Sequence, residues 1–125
     1  MPAYFNNTVY YGSVGSPILA FTITDARLST ASTAHTANSF GYPGATPSVS
    51  ANGASNGIVW ASENTSPGVL HAYNASNLNE IYNSNQASGG RDQFGAGNKY
   101  VTPMIVNGKV FLGTTNGVVV FGLLP

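Results

Sequence analysis

Thr102-Pro103-Met104-Ile105-Val106-Asn107-Gly108-Lys109-Val110-Phe111-Leu112-Gly113-Thr114, followed by Gly117-Val118-Val119-Val120-Phe121, reads as three short strands joined by turns. Asn107-Gly108 separates two apolar runs, and both residue types accept positive φ, so the pair predicts a two-residue hairpin. Asn116-Gly117 is expected to join the next strand in the same way. The pattern recurs twice upstream at a spacing of about fifty residues. One copy runs Thr46-Pro47-Ser48-Val49-Ser50, Ile58-Val59-Trp60-Ala61-Ser62 and Gly68-Val69-Leu70-His71-Ala72-Tyr73. The other runs Pro2-Ala3-Tyr4-Phe5, Val9-Tyr10-Tyr11-Gly12-Ser13 and Pro17-Ile18-Leu19-Ala20-Phe21.

A repeat of that length made of several short strands is the sequence sign of a β-propeller blade. The expected fold is therefore all-β: a partial β-propeller of about three four-stranded antiparallel blades in one segment, 1–125. The blade-like units fall at 1–37, 46–86 and 100–125, and the last lacks its outer strand. Strands are predicted near 3–6, 8–13, 17–24 and more weakly 28–37, then 46–51, 57–63, 68–75 and 79–84, then 101–107, 109–115 and 117–122. Residues 38–45 and 85–99 form the irregular links. Tyr10, Trp60 and Phe111 hold corresponding places on the middle strands, where a large side chain packs between neighbouring blades.

Charged residues make up only 6% of the 125 residues, four basic against four acidic, while 42% are hydrophobic. Such a chain has a core to bury but no basic stripe to neutralise phosphates, which sets nucleic acid aside as a partner. Its solubility rests on Asn, Ser, Thr and Gly, a neutral surface that suits an extracellular or periplasmic setting. Met1-Pro2-Ala3-Tyr4 has neither a basic n-region nor an apolar h-region, so a secretion signal is expected elsewhere and the chain reads as a segment of a longer one. No run approaches the ~18 apolar residues of a membrane-spanning helix. Three triplets, at Asn6, Asn64 and Asn74, fit the N-glycosylation pattern. Without cysteine, thiolate catalysis and cysteine-held metals are excluded.

Few residues offer chemistry. Gly53-Ala54-Ser55-Asn56-Gly57 matches the nucleophile motif of serine hydrolases, but that motif needs a strand-to-helix turn, and here it is expected to form a hairpin loop bracketed by Asn52-Gly53 and Asn56-Gly57. His35 and His71 have no companions at metal-ligand spacing; His71, on a strand, reads as a structural or surface histidine. Asp25, Glu63, Glu80 and Asp92 show no spacing that pairs two of them across a cleft. Gly95-Ala96-Gly97-Asn98-Lys99 lacks the form of a phosphate loop. The remaining candidates are Arg91, Asp92 and Gln93, in the glycine-rich link between the second and third units, and these are taken as the ligand-binding residues. No residue is assigned to catalysis, a metal or a cofactor.

Val69-Leu70-His71-Ala72-Tyr73-Asn74-Ala75-Ser76-Asn77-Leu78, with Ile81-Tyr82-Asn83-Ser84-Asn85-Gln86, resembles a blade of the pyrroloquinoline-quinone-like (quinoprotein-type) β-propeller repeats. Arg91-Asp92-Gln93, Tyr100-Val101-Thr102-Pro103 and the closing Val120-Phe121-Gly122-Leu123-Leu124-Pro125 extend that resemblance over nearly the whole chain. It looks like the C-terminal part of a larger bacterial propeller. The family's usual blade has an acidic residue after the aromatic and a tryptophan near the end of the outer strand; Asn74 and Tyr82 stand there instead. The quinone site's catalytic aspartate and calcium ligands find no counterparts, so no cofactor is carried over.

The chain thus reads as a non-catalytic scaffold or binding module. A propeller closes with four to eight blades, so its partner is expected to be a second copy, a dimer completing a ring, or the blades of another chain. Loops 12–17, 62–68 and 85–99 suit a glycan or another small neutral ligand. The alternatives are a fragment of a quinone-dependent dehydrogenase and a subunit of an extracellular filament.

Overall fold

The computed structural model describes residues 1–123 and is all-β, with three separate antiparallel sheets, none of them closed. Sheet 1 contains β1 (Ala3–Phe5), β2 (Thr8–Gly12), β3 (Ile18–Thr24), β4 (Arg27–Leu28) and β5 (Ala34–His35). Sheet 2 orders β6 (Ser48–Asn52), β7 (Ser55–Glu63), β8 (Val69–Asn74) and β9 (Glu80–Asn83). Sheet 3 orders β10 (Met104–Val106), β11 (Lys109–Gly113) and β12 (Val118–Phe121). The expected strand near 28–37 is split in two: β4 pairs with the far end of β3, and β5 with its near end.

Local chemistry accounts for most of the turns. Asn6-Asn7, Asp25-Ala26 and Asn107-Gly108 each hold two successive residues at positive φ, between 47° and 70°, as a tight two-residue hairpin requires. Two loops depart from expectation. Asn52 pairs directly with Ser55, so the turn is Gly53-Ala54 alone, and the left-handed Asn56 is absorbed as a bulge in β7. Asn116-Gly117 makes no tight turn, because Gly113 pairs with Val118 and the Thr114 N–H donates back to the Gly117 carbonyl at 2.8 Å.

The registers set the sheets in one frame. Tyr10 stands opposite Ala20, Trp60 opposite Ala72, and Phe111 opposite Val120. Sheet 2 lies between the others, and its β8 buries four successive residues, Leu70 to Tyr73, because both of its faces are covered. Towards sheet 1, Val59, Ala61, Tyr73 and Leu78 meet Tyr10, Ile18, Ala20 and Phe40. Towards sheet 3, Leu70 and Trp60 meet Val110, Leu112 and Phe121. Gly57 permits the first junction: an added Cβ would sit 2.5 Å from the Phe5 ring and 2.8 Å from the Ala75 Cβ. The Tyr10 hydroxyl spans it, donating to the Ala75 carbonyl at 2.7 Å.

A hydroxyl clamp recurs outside each of the first two sheets. The Ile18 N–H donates to Thr36 Oγ1 and the Thr36 N–H to the Ile18 carbonyl, both at 3.0 Å. In the same manner Leu70 N–H meets Ser84 Oγ at 3.1 Å, and Ser84 N–H meets the Leu70 carbonyl at 2.9 Å. Thr36 and Ser84 are both buried, so a Thr36→Val substitution strands the Ile18 N–H away from water. A loss of about 1–3 kcal/mol is expected in urea denaturation; Ser29→Val, at a half-buried position, is expected to change stability by less than about 0.5 kcal/mol.

Candidate functional site

Arg91, Asp92 and Gln93 follow a short 3-10 turn at Ser88–Gly90 and are anchored by the Gln93 N–H donating to the Gly90 carbonyl at 3.0 Å. The Arg91 guanidinium grips Asp92 with two bonds, Nε to Oδ1 at 2.7 Å and a terminal nitrogen to Oδ2 at 3.0 Å. The Tyr82 hydroxyl donates to the same Oδ2 at 2.8 Å. These bonds, the guanidinium's first, hold the Asp92 carboxyl below the usual carboxylate range. Burial, then the bond to Asp92 and its charge, push the Tyr82 hydroxyl upward, so it stays a donor through neutral and alkaline pH.

A carboxyl with a lowered folded-state pKa contributes stability above its unfolded value of about 4, and that contribution is lost as pH falls through the folded value. Arg91→Ala is expected to raise the Asp92 midpoint in a carbon-detected NMR titration, with the Tyr82 bond still holding it down in part. A midpoint unmoved by the substitution would show that the guanidinium does not govern it.

All three residues border a groove of about 880 Å³ between sheets 2 and 3. Its walls are Ile58 and Trp60 on one side and Val110, Val119 and Phe121 on the other, with Tyr82 and the Arg91–Asp92 pair at the rim. The Trp60 indole N–H is turned to Ser50 Oγ at 2.9 Å. An apolar bed with a few convergent polar groups is the usual form of a binding cleft. A smaller space of about 410 Å³ lies at the corresponding place between sheets 1 and 2, bordered by Phe5, Tyr10, Gly57 and Ala75.

A second cluster joins residues that the sequence left apart. His71 is only 6% exposed, and both its ring nitrogens face carboxylates: Nε2 lies 3.1 Å from Glu63 Oε1 and Nδ1 lies 2.6 Å from Glu80 Oε1. Each ring nitrogen thus has a carboxylate oxygen within hydrogen-bonding distance, so the ring bridges two carboxylates. The ring stacks on Tyr73 at 5.7 Å and receives the edge of Phe40 at 5.8 Å. The Tyr73 hydroxyl donates to Asn38 Oδ1 at 2.6 Å, and burial raises its pKa. Asn83 Nδ2 donates to Glu80 Oε2 at 2.8 Å. His71 is therefore a structural histidine, not a surface one, and Glu63 and Glu80, although unpaired in the sequence, converge on it. With its nitrogens engaged and Phe40 and Tyr73 against its ring, the cluster secures the junction of sheets 1 and 2.

His35 makes no such network; its Nδ1 lies 3.1 Å from the Thr36 carbonyl oxygen. Gly53 and Ala54 form a β-hairpin turn and Ser55 to Gly57 begin β7, so the hairpin is present with a shorter loop than expected. Loops 62–68 and 85–99 do meet, through Gly68 N–H to the Gly95 carbonyl at 3.0 Å and Gly97 N–H to the Thr65 carbonyl at 2.9 Å. Beside them the exposed Tyr42 and Tyr100 share a hydroxyl–hydroxyl bond of 2.8 Å, with the Lys99 ammonium 5.0 Å from the Tyr42 ring centre. Among the described residues no group of three or more His, Cys, Asp or Glu side chains is arranged to hold a metal, and no helix is long and apolar enough to cross a membrane. Comparison with protein-family models, with curated proteins and with solved structures found no match.

Proposed function

We propose that this chain is a non-catalytic scaffold or binding module, a partial β-propeller whose ring is completed by a second copy. One observation carries the reading: both terminal sheets have an apolar outer face. On sheet 3, Phe111 is half-buried, while Met104, Val118 and Val120 are 57%, 68% and 48% exposed. On sheet 1, Tyr4, Tyr11 and Leu28 are exposed beside the half-buried Val9 and Phe21. Phe111 stands where Tyr10 and Trp60 stand in the sheets that do have a neighbour, so the sheet 3 face corresponds to surfaces buried elsewhere in the chain.

The area supports the same reading. The chain exposes 7116 Å², about 800 Å² more than a folded monomer of its mass. That excess is about what one partner contributes to a stable interface. The inner strands support it as well, since β6 lies against both β1 and β10, as strands around a shared axis would. Sheet 3 of one copy then packs on sheet 1 of the other, twice, giving a two-fold ring of six sheets. The neutral polar loops and the exposed Tyr42–Tyr100 pair suit a glycan at the end of that ring, and the low charge suits an extracellular or periplasmic setting.

Light scattering on a sizing column is expected to give twice 12.9 kDa. A monomer at micromolar concentration overturns ring closure. Open-ended filaments in electron micrographs would show the same faces meeting at an angle that does not close.

A further inference from the structure

The cleft between sheets 1 and 2 holds an irregularity that the repeat does not require. β2 and β11 pair with β1 and β10 without a register shift, each across a two-residue turn. β7 has such a turn at Gly53-Ala54, yet it carries an extra residue just beyond. Asn56 and Gly57 together stand opposite Ala51, and Asn56 is left-handed with φ 54°. A bulge re-aims the side chain it carries, and this one borders a cleft of about 410 Å³.

Three turns converge on that cleft. The β1–β2 turn brings Asn6, the bulge brings Asn56, and the turn after β8 brings Asn74 and Ser76. Asn74 is already oriented, because its Oδ1 accepts from the Ser76 N–H at 2.9 Å and from Ser76 Oγ at 2.7 Å. Its Nδ2 is left as a donor and the Ser76 oxygen as an acceptor. The carboxamides of Asn6 and Asn56 are exposed and, among the described residues, unbonded; Asn6 engages only its backbone carbonyl. The floor is satisfied without a ligand, since the Tyr10 hydroxyl donates to the Ala75 carbonyl. Phe5 is half-buried in the wall. No Lys, Arg, His, Asp or Glu borders the cleft.

We propose that this cleft binds a neutral carbohydrate. A carboxamide both donates and accepts, as each sugar hydroxyl does, so Asn6, Asn56 and Asn74 match such a ligand group for group. Phe5 offers an aromatic ring to the C–H groups of a sugar ring. An anion would find no cation here, and an amine no carboxylate. A lipid chain would strip water from amides that it cannot bond. The volume falls within the about 300–1,000 Å³ of small-molecule sites. Both walls belong to one chain, so the site does not depend on ring closure. It also lies at the opposite end of β7 from Tyr42: Asn64, just past that strand, donates to the Tyr42 carbonyl at 3.1 Å, whereas Asn56 stands near its start.

The test titrates the isotope-labelled full chain with maltose, cellobiose, lactose or diacetylchitobiose and follows the side-chain amide signals of asparagine by NMR. Saturable shifts at Asn6, Asn56, Asn74 and the Gly57 backbone are expected with at least one sugar, with a dissociation constant on the order of 1 mM. Asn56→Gly keeps the left-handed backbone without strain and removes only the amide. It is expected to weaken binding about tenfold, and Ser76→Ala about fivefold. Asn116→Gly, in the loop after β11, is expected to leave binding unchanged. The amide spectrum shows directly whether each variant is folded, and Ser76→Ala keeps the test decisive if Asn56→Gly is not. No shift with any of the four sugars at about 50 mM would overturn the proposal. So would shifts centred on Tyr42 and Tyr100, an equal response to inorganic phosphate, or unchanged affinity in both cleft variants. Light scattering on the same sample keeps the two readings apart. A dimer without these shifts loses this site alone, and a monomer that shows them loses ring closure alone.

Discussion

Replacing His71 with leucine is expected to lower the stability of the chain by about 3 kcal/mol, with a fall in melting temperature of about 12 °C. Leucine matches the need for apolar volume between Phe40 and Tyr73, so little of this loss comes from packing. What disappears is the ring whose nitrogens bridge two carboxylates. Each charge-assisted bond contributes about 1.5–3 kcal/mol when its partners are held away from water. Here Glu63 and Glu80 keep 24% and 32% of their side chains exposed and can turn outward, which brings the total below the simple sum. Left facing each other they repel, and if they turn away Asn38 loses its 3.4 Å contact with Glu63. Glu80→Gln keeps an acceptor for Nδ1 and is expected to cost about 1 kcal/mol, since a neutral bond replaces a charged one. Urea denaturation of both variants separates the two contributions. A His71→Leu variant within about 0.5 kcal/mol of the parent would mean that the paired carboxylates add nothing to the junction.

Features whose chemistry is local were legible in the sequence. Asn107-Gly108 predicts its own turn because the φ values it needs, 49° and 70°, are ones that Asn and Gly accept without help. The alternation along 68–75 correctly sets His71 opposite Leu70. Alternation could not reveal that the opposite face is covered, because the covering residue, Phe40, comes from a link with no periodic pattern. Once the hairpin register is known, Glu63 follows. Ala61 stands opposite His71, and Glu63, two residues on, shares their face. Glu80 does not follow, since it reaches His71 through a register shift between Ala72 and Tyr73. The clamps at Thr36 and Ser84 were invisible for a similar reason. A hydroxyl among many in a chain rich in Ser and Thr is distinguished only by its burial against a strand far away in sequence. Asn116-Gly117 shows the converse error: a favourable pair does not make a tight turn when the flanking strands pair at Gly113 and Val118. Arg91, Asp92 and Gln93 were picked out as a charged group in a glycine-rich link, but the groove they border is set by Trp60, which the sequence suggested only as a packing residue, and by Tyr82 and Phe121, to which it gave no part in a site.

If the proposed dimer forms, Phe111→Asp is expected to reduce the mass in solution to that of the single chain, raising the dissociation constant about 100-fold or more. The fold should survive, because the Phe111 side chain lies on the open face of sheet 3 among the exposed Met104, Val118 and Val120. A carboxylate there is solvated in the monomer and must lose its water when the faces meet, which is the source of the penalty. Phe21→Asp, on the outer face of sheet 1, is expected to do the same from the other side. The two variants together distinguish the ways of pairing. If sheet 3 of one copy packs on sheet 1 of the next, each variant retains one unaltered face of the complementary kind. Mixing them then restores a dimer through a single intact junction. If sheet 3 instead packs on sheet 3, Phe21→Asp alone stays dimeric and mixing restores nothing to Phe111→Asp. Rescue in the mixture, read by light scattering, requires two different faces at the junction, and only that arrangement continues the packing that already joins sheet 1 to sheet 2 and sheet 2 to sheet 3.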